Sequence, residues 1–247
     1  TNNNSKKMEI KEILYLILSV AIGAVIVEIF KPKKSRNIQL LLTFSGAYLL
    51  AVSLLHLIPE LFGNHSSVNL DNDLSKNIGI FILGGFLIQI LLEYFSKGIE
   101  HGHFHKQKVI PITVLISLCF HALLEGIPLG GGLDHNHSAH NALLTGILLH
   151  KAPVAIVLFS LFLQSGMNKL KAYFLLLLFA LMAPLGVYTG HLFTELSNYA
   201  NEIMAIVVGI FLHISTTILF ESTDGHNFSI TKIFAIVTGT LLVILSL

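Results

Sequence analysis

The chain has 247 residues, of which 53% are hydrophobic and 12% are charged, and its mean hydropathy is +0.76. This balance excludes an ordinary soluble domain and predicts a polytopic membrane protein, because nothing of normal domain size remains outside the apolar segments. The net charge is +1, and no basic stripe suggests a nucleic-acid partner. A single cysteine excludes an internal disulfide, whereas thirteen histidines in a chain without tryptophan are unusually many for this length.

Apolar runs long enough to cross a bilayer core, which takes about 20 residues, occur eight times along the chain. They lie near 10–30, 38–62, 76–96, 109–130, 139–164, 171–195, 200–221 and 228–247. We interpret residues 1–7, which precede Met8, as a processing or cloning remnant, and the first run as a retained span. Because the connectors are short, the sequence predicts an all-α fold of eight transmembrane helices in one domain, 1–247.

The lysines and arginines between the spans predict the orientation. Ten of the fifteen lie in the odd-numbered connectors, four lie on the other side, and Lys151 lies inside a span. This asymmetry places the odd-numbered connectors in the cytoplasm, including the histidine-containing loop 97–108, and places both termini outside. The short loops and the amino-acid composition favour a bacterial inner membrane.

Ionisable residues lie in the middle of the fourth and fifth spans, where a charge costs roughly 2.5–3.5 kcal/mol and therefore indicates function. His121 and Glu125 are spaced i, i+4 and share a helix face. At about 1.5 Å per residue, His121 lies roughly 18 Å from the inner end of its span and His150 roughly 16 Å from the outer end of the next. Both depths fall near the middle of a core about 30 Å thick. The sequence therefore predicts one metal site made of these three side chains, the plainer alternative being a polar network that only joins helices.

Two neighbours of His150 bear on this site. Pro153 cannot donate a hydrogen bond to the carbonyl of Leu149, so we expect the helix to loosen or break there. Lys151 lies too deep in the span to snorkel easily, and we expect it to tune the charge of the site. Small residues elsewhere are expected to allow close helix approach: Gly84, Gly85, Gly186 and Gly190.

Further imidazoles and carboxylates lie along the same axis. His56 and Glu60, at the outer end of the second span, predict an entrance, although a solvated interfacial position is the alternative. His213 near mid-depth and Glu221 at the inner end of span seven are candidates for the exit, the alternatives being a structural histidine and a solvated helix end. The cytoplasmic loop offers an exit acceptor through His101, His103 and His105. An outer cluster, His135, His137 and His140, is a weaker candidate, and four residues near span ends are interpreted as interfacial: Glu28, Glu93, His191 and Glu195.

These motifs resemble the ZIP (Zrt-, Irt-like protein) divalent metal transporters. The family pattern His-x-x-x-Glu/Asp-Gly of the fourth span is matched by His121-Ala-Leu-Leu-Glu125-Gly126, and the fifth-span pattern by His150-Lys151-Ala-Pro153. The second-span motif is matched by His56-Leu-Ile-Pro59-Glu60. The resemblance implies a 3+2+3 arrangement, in which spans four and five lie between two three-span units, and transport by alternating access.

The sequence departs from the binuclear members of that family. Ala122, Lys151 and Val154 stand at the positions of the second site, which is similar to a subgroup with lysine in place of the second ion. The resemblance therefore implies a mononuclear site. Two imidazoles and a carboxylate suit zinc as substrate, with iron, manganese and cadmium as alternatives, and no cofactor is expected. The expected partners are the ion and membrane lipid, and a homodimer is left open.

Two other classes of function compete with uptake of a metal ion. An intramembrane metal-dependent hydrolase would also hold zinc with buried histidines and acids, but it needs an open ligand position and a general base. The chain has no His-Glu-x-x-His motif, and Glu125 would have to serve as both ligand and base beside Lys151. A metal sensor or storage protein would depend on the histidine loop instead. We predict a transporter and not an enzyme.

Overall fold

The structure is a computed structural model that describes residues 2–30, 35–63, 72–96, 111–130, 137–192, 199–221 and 229–246. Within these ranges every regular element is helical. The helices are α1 (Asn2–Phe30), α2 (Ser35–Val52), α3 (Ile58–Gly63), α4 (Asn72–Ser96), α5 (Pro111–Gly126), α6 (His137–Gln164), α7 (Lys169–Leu192), α8 (Ala200–Glu221) and α9 (Ile230–Ile244). A π-helical turn, Ser53–Leu57, joins α2 to α3, and a 3₁₀ turn, Ile127–Gly130, follows α5.

Seven described segments are long and apolar enough to cross a membrane, which confirms the predicted all-α polytopic fold. They are Ile10–Phe30, Asn37–Gly63, Asn77–Phe95, Ile112–Gly130, Ala139–Gln164, Lys169–Leu192 and Ala200–Phe220. Large apolar side chains are exposed on the outer helix faces, as contact with lipid requires. The predicted eighth span is shorter than expected, because the 15 residues of α9 reach only about 22 Å at 1.5 Å per residue.

The helices pack into two groups. In the first group α1 lies along α6, and α7 packs against both α5 and α1. In the second group α4 lies along α8, and α2 packs against α8 and α9. The main contacts between the groups join α2 to α6 and α4 to α5. Each group therefore combines helices from both halves of the chain, and the two helices that carry the predicted site face the other group.

Prolines have different effects in the second span, which carries the predicted entrance, and in α6, which carries His150. In the second span, the N–H of Ile58 donates to the carbonyl of Ser53, five residues back. Pro59 has no N–H for the carbonyl of Leu55 and crowds it, which accounts for the wider π-helical turn at this point. The sequence analysis did not anticipate this turn.

The expected break at Pro153 is wrong. α6 continues through this residue as one helix of 28 residues, and 72% of its most apolar stretch is buried inside the protein. Neighbouring helices can satisfy the backbone groups that a proline frees in a transmembrane helix. Close packing along α6 therefore supports the helix that carries His150.

Glycines bring helix backbones into direct contact within each group. A Cβ added at Gly85 of α4 would lie 2.0 Å from the carbonyl oxygen of Ile206 in α8, and one at Gly190 of α7 would lie 2.2 Å from that of Ile127. The expected close approach is confirmed at Gly85, Gly186 and Gly190. It is wrong for Gly84, where an added Cβ meets open space.

The adjacent glycines of α4 provide a matched test of this packing. Gly85→Ala should destabilise the protein by about 1–3 kcal/mol, because the new methyl group overlaps the α8 backbone and forces the helices apart. Gly84→Ala should be neutral or slightly stabilising, because alanine favours helix and nothing opposes it. The temperature at which half of the detergent-solubilised protein loses its monodisperse peak measures the difference. Equal temperatures for the two variants would contradict the packing described above.

Candidate metal centre

The three side chains predicted to form a metal site lie together between α5 and α6. His121, Glu125 and His150 are each 2% exposed, and one ligand atom of each lies within 4.8 Å of the others. Nε2 of His121 is 2.9 Å from Oε1 of Glu125 across one helical turn. The two imidazole rings are 6.0 Å apart between centroids and nearly perpendicular. In the part of the chain that the structure describes, no other group of three histidine, cysteine or acidic residues is this close.

The packing of α5 explains why its two ligands face inward. Leu118 and Ala122, on the same side of the helix, are buried, whereas Phe120 on the opposite side is 56% exposed. Directly after Glu125, Gly126 lies against the backbone of α7, where an added Cβ would be 2.2 Å from the carbonyl oxygen of Ala183. This contact fixes the end of α5 and therefore the height of the carboxylate.

His121 also contacts α4 through its other ring nitrogen. Nδ1 of His121 lies 3.2 Å from Oε1 of Gln89, a residue with 0% exposure. Because an amide oxygen only accepts, a hydrogen bond in this contact requires the proton on Nδ1, and that tautomer leaves the lone pair on Nε2 for a metal ion. The sequence analysis missed Gln89 because it is uncharged. Its i, i+4 spacing to Glu93 on α4 was the available signal.

Lys151 remains inside the protein next to His150. It is 2% exposed, and its Nζ lies 4.4 Å from the centroid of the Phe179 ring in α7. Its Nζ makes no hydrogen bond to any described residue, so the aromatic face and the negative charge of Glu125, which interacts with it, stabilise the ammonium. The alternative in which Lys151 snorkels to the membrane surface does not occur.

His213 does not stand alone in the eighth helix. It forms an ion pair with Glu93 of α4, and the Phe86 ring packs edge-on against it at 4.9 Å between centroids. The side chain of Glu93 is 18% exposed and makes a contact between two helices, and its interfacial position near the end of α4 stays a prediction. The interfacial assignment of Glu28 is consistent with its hydrogen bond from the exposed Lys169, at 3.0 Å.

A third imidazole–carboxylate pair lies at the predicted outer end of the first group. His140 of α6 contacts Glu12 of α1, with 2.9 Å between Nε2 and Oε1, and both residues are buried. The sequence analysis named His140 as a weak candidate and missed Glu12. Nothing in the local sequence connects the two, since they are 128 residues apart.

The remaining candidates are spread around the centre. His56 is 8% exposed and lies on the π-helical turn, which contacts α6 and α8. Glu60 in α3 is half-buried. Glu221 is the last residue of α8, and His191, near the end of α7, is exposed. Other candidates lie outside the described residues: His101, His103, His105, His135 and Glu195, whereas His137 is the first residue of α6.

Two imidazoles and one carboxylate form a donor set that suits zinc and leaves room for a water or a further ligand in a tetrahedral shell. Residues 98–246, which include all three ligands, match the family model described as ZIP zinc transporter. The chain belongs to this family. The predicted resemblance to ZIP proteins is thus confirmed over more than half of the sequence.

Several curated ZIP proteins are similar to this chain. Zinc transporter ZIP9-B of Xenopus laevis is 26% identical over 68% of this chain and 60% of its own length. Zinc transporter ZIP9 of Micropogonias undulatus is 26% identical over 62% of this chain and 53% of its own length. Zinc transporter zipt-7.1 of Caenorhabditis briggsae is 23% identical over 87% of this chain and 71% of its own length. The chain therefore spans little more than half the length of the ZIP9 relatives.

The buried lysine of this ZIP centre leads to a testable effect on affinity. Lys151→Met should strengthen zinc binding about tenfold, roughly 1.4 kcal/mol, because it removes a fixed positive charge beside the dication and leaves Glu125 without that counter-charge. Lys151→Arg keeps the charge and should bind zinc as the parent protein does. Competition with a chromogenic zinc chelator in detergent measures both. Equal affinity for the two variants would show that the lysine charge does not act on the ion.

Proposed function

We propose that this protein moves divalent metal ions, zinc foremost, across the membrane into the cytoplasm. The observation that carries the proposal is the convergence of His121, Glu125 and His150 in the interior of two adjacent apolar helices. A histidine–carboxylate cluster inside transmembrane segments is costly and indicates an ion pathway. Membership of the ZIP family and relatives named zinc transporters support the same function.

The site holds one ion at a time in this proposal. Lys151 occupies the neighbourhood where a second dication would otherwise bind, and its charge partly offsets that of Glu125. A transport site must bind the ion well enough to capture it and weakly enough to release it. Three protein ligands, exchangeable water and a nearby positive charge meet both requirements. Iron, manganese and cadmium remain alternative substrates, and the ion is cargo rather than a resident cofactor.

The route to and from this centre is also a proposal. His56 and Glu60 form the entrance, since the π-helical turn of His56 contacts both α6 and α8. On the exit side, His213 acts together with Glu93, followed by Glu221 at the end of α8. The loop histidines His101, His103 and His105 then accept the ion in the cytoplasm. Access alternates between the two sides of the membrane.

An intramembrane hydrolase is disfavoured. Its general base would have to be Glu125, which contacts His121 at 2.9 Å and interacts with Lys151. A carboxylate in contact with an imidazole and near an ammonium is a poor base, and the relatives reported above are named zinc transporters. We therefore propose a transporter and not an enzyme.

The setting of the protein completes the proposal. It is an integral membrane protein, with residues 1–247 forming one transporter domain in contact with lipid. We assign it to a bacterial inner membrane because of its short connectors, although the named relatives come from animals. A homodimer is compatible with the exposed apolar faces, and cross-linking in native membranes would detect it.

Uptake into liposomes tests the function directly. Purified protein in vesicles loaded with a zinc-sensitive dye should admit external zinc, and His121→Ala or Glu125→Ala should abolish the signal because each removes a ligand. His191→Ala is the matched control, since this histidine is exposed at the end of α7, and it should retain uptake. Unchanged uptake in both ligand variants would overturn the proposal. Turnover of lipid or peptide without ion flux would favour the hydrolase.

The exit role of the His213–Glu93 pair has its own signature. If the ion passes this pair after leaving the central site, the double variant Glu93→Gln and His213→Gln should lower the maximum uptake rate several-fold while the zinc affinity in detergent stays within twofold of the parent. If the zinc affinity falls as much as the uptake rate does, the His213–Glu93 pair acts on the central site and not on the exit.

A further inference from the structure

Two hydrogen bonds between described residues of α4 and α5 lie one helical turn apart. The hydroxyl of Ser117 in α5 donates to the carbonyl of Leu92 in α4 at 2.6 Å. One turn further along α5, Nδ1 of His121 donates to the amide oxygen of Gln89 at 3.2 Å. The first bond links the helices only, whereas the second also touches a ligand of the candidate metal centre.

We infer that Gln89 is a positioning residue that prepares His121 for the metal ion. The inference rests on the proposed function of the site and names a residue outside its ligand set. A ring nitrogen that donates to a fixed acceptor keeps the other nitrogen unprotonated and aimed in one direction. Here Gln89 keeps Nε2 of His121 directed at the space shared with Glu125 and His150.

The burial of Gln89 strengthens this assignment. Its side chain is 0% exposed inside a span whose other central residues, from Ile80 to Leu91, are apolar or glycine. A buried amide without partners is costly, so the hydrogen bonds that Gln89 makes are needed to stabilise it at this position. The contact with His121 gives the amide a role that an apolar residue could not take.

The position of Gln89 also connects affinity to helix arrangement. All three ligands belong to α5 and α6, in the first group of helices, whereas Gln89 belongs to α4, which packs mainly against α8 in the second group. The hydrogen bond therefore exists only when α4 and α5 are in this register. Any shift of α5 along α4 would release the ring of His121 and weaken the hold on the ion.

Three variants test the inference. Gln89→Met keeps the length of the side chain but removes the amide oxygen, and it should lower zinc affinity 10–100-fold, the effect typical of a lost outer partner of a metal-bound histidine. Gln89→Glu restores an acceptor and should bind zinc at least as tightly as the parent. Ser117→Ala is the matched control, because it removes the other α4–α5 hydrogen bond without touching a ligand, and it should stay within twofold of the parent.

Two measurements separate positioning from folding. Chelator competition in detergent gives the affinity, and zinc uptake into liposomes gives KM and the maximum rate. A rise in KM for Gln89→Met that Gln89→Glu reverses supports the inference. It is overturned if Gln89→Met binds zinc like the parent, if Gln89→Glu fails to restore affinity, or if Ser117→Ala loses as much as Gln89→Met does. A parent protein that neither binds nor transports zinc overturns the proposed function as well, whereas a transporting parent with an indifferent Gln89 overturns this inference alone.

Discussion

The structure depends on how ionisable groups are stabilised in an interior that contains no bulk water. His121, Glu125, His150 and Lys151 are each 2% exposed, and isolated charges at such positions would not be tolerated. They persist because they are neighbours: the carboxylate contacts an imidazole, the ammonium lies over an aromatic face, and the amide of Gln89 contacts Nδ1 of His121. The helices must pack in the observed arrangement for these partners to meet.

The fold and the central site were largely predictable from sequence, because both follow from local rules. Span length follows from the thickness of the bilayer, and the i, i+4 spacing of His121 and Glu125 fixes one helix face. The contacts of Gln89, Glu93 and Glu12 were not predictable, since they join side chains of different helices that are 32, 120 and 128 residues apart. The continuity of α6 through Pro153 was missed for the same reason, because packing against other helices outweighs a local preference.

The contacts inside each group of helices differ from the contacts between the two groups. Inside the groups, glycines place one helix backbone on another, as at Gly23 against Ala152 and at Gly209 against Ile82. At the boundary, Gly146 of α6 meets the side chains of Leu49 and Tyr48, and side-chain hydrogen bonds are among the contacts between α4 and α5. The proposed alternating access would have to rearrange only the side-chain contacts between the two groups. Rearranging side chains costs less than separating closely packed backbones.

A lysine differs from a second metal ion in a way that bears on the transport cycle. In the proposed cycle the lysine side chain cannot leave with the cargo, so an amine stays beside Glu125 in both the empty and the loaded states. In the empty state that charge stabilises Glu125, and in the loaded state it repels the dication at short range. The repulsion lowers the affinity but also lowers the barrier to release, since the ion leaves behind a carboxylate that already has a partner. In the proposed transport cycle Lys151 would therefore favour turnover over tight retention, as a site that must empty on every cycle requires.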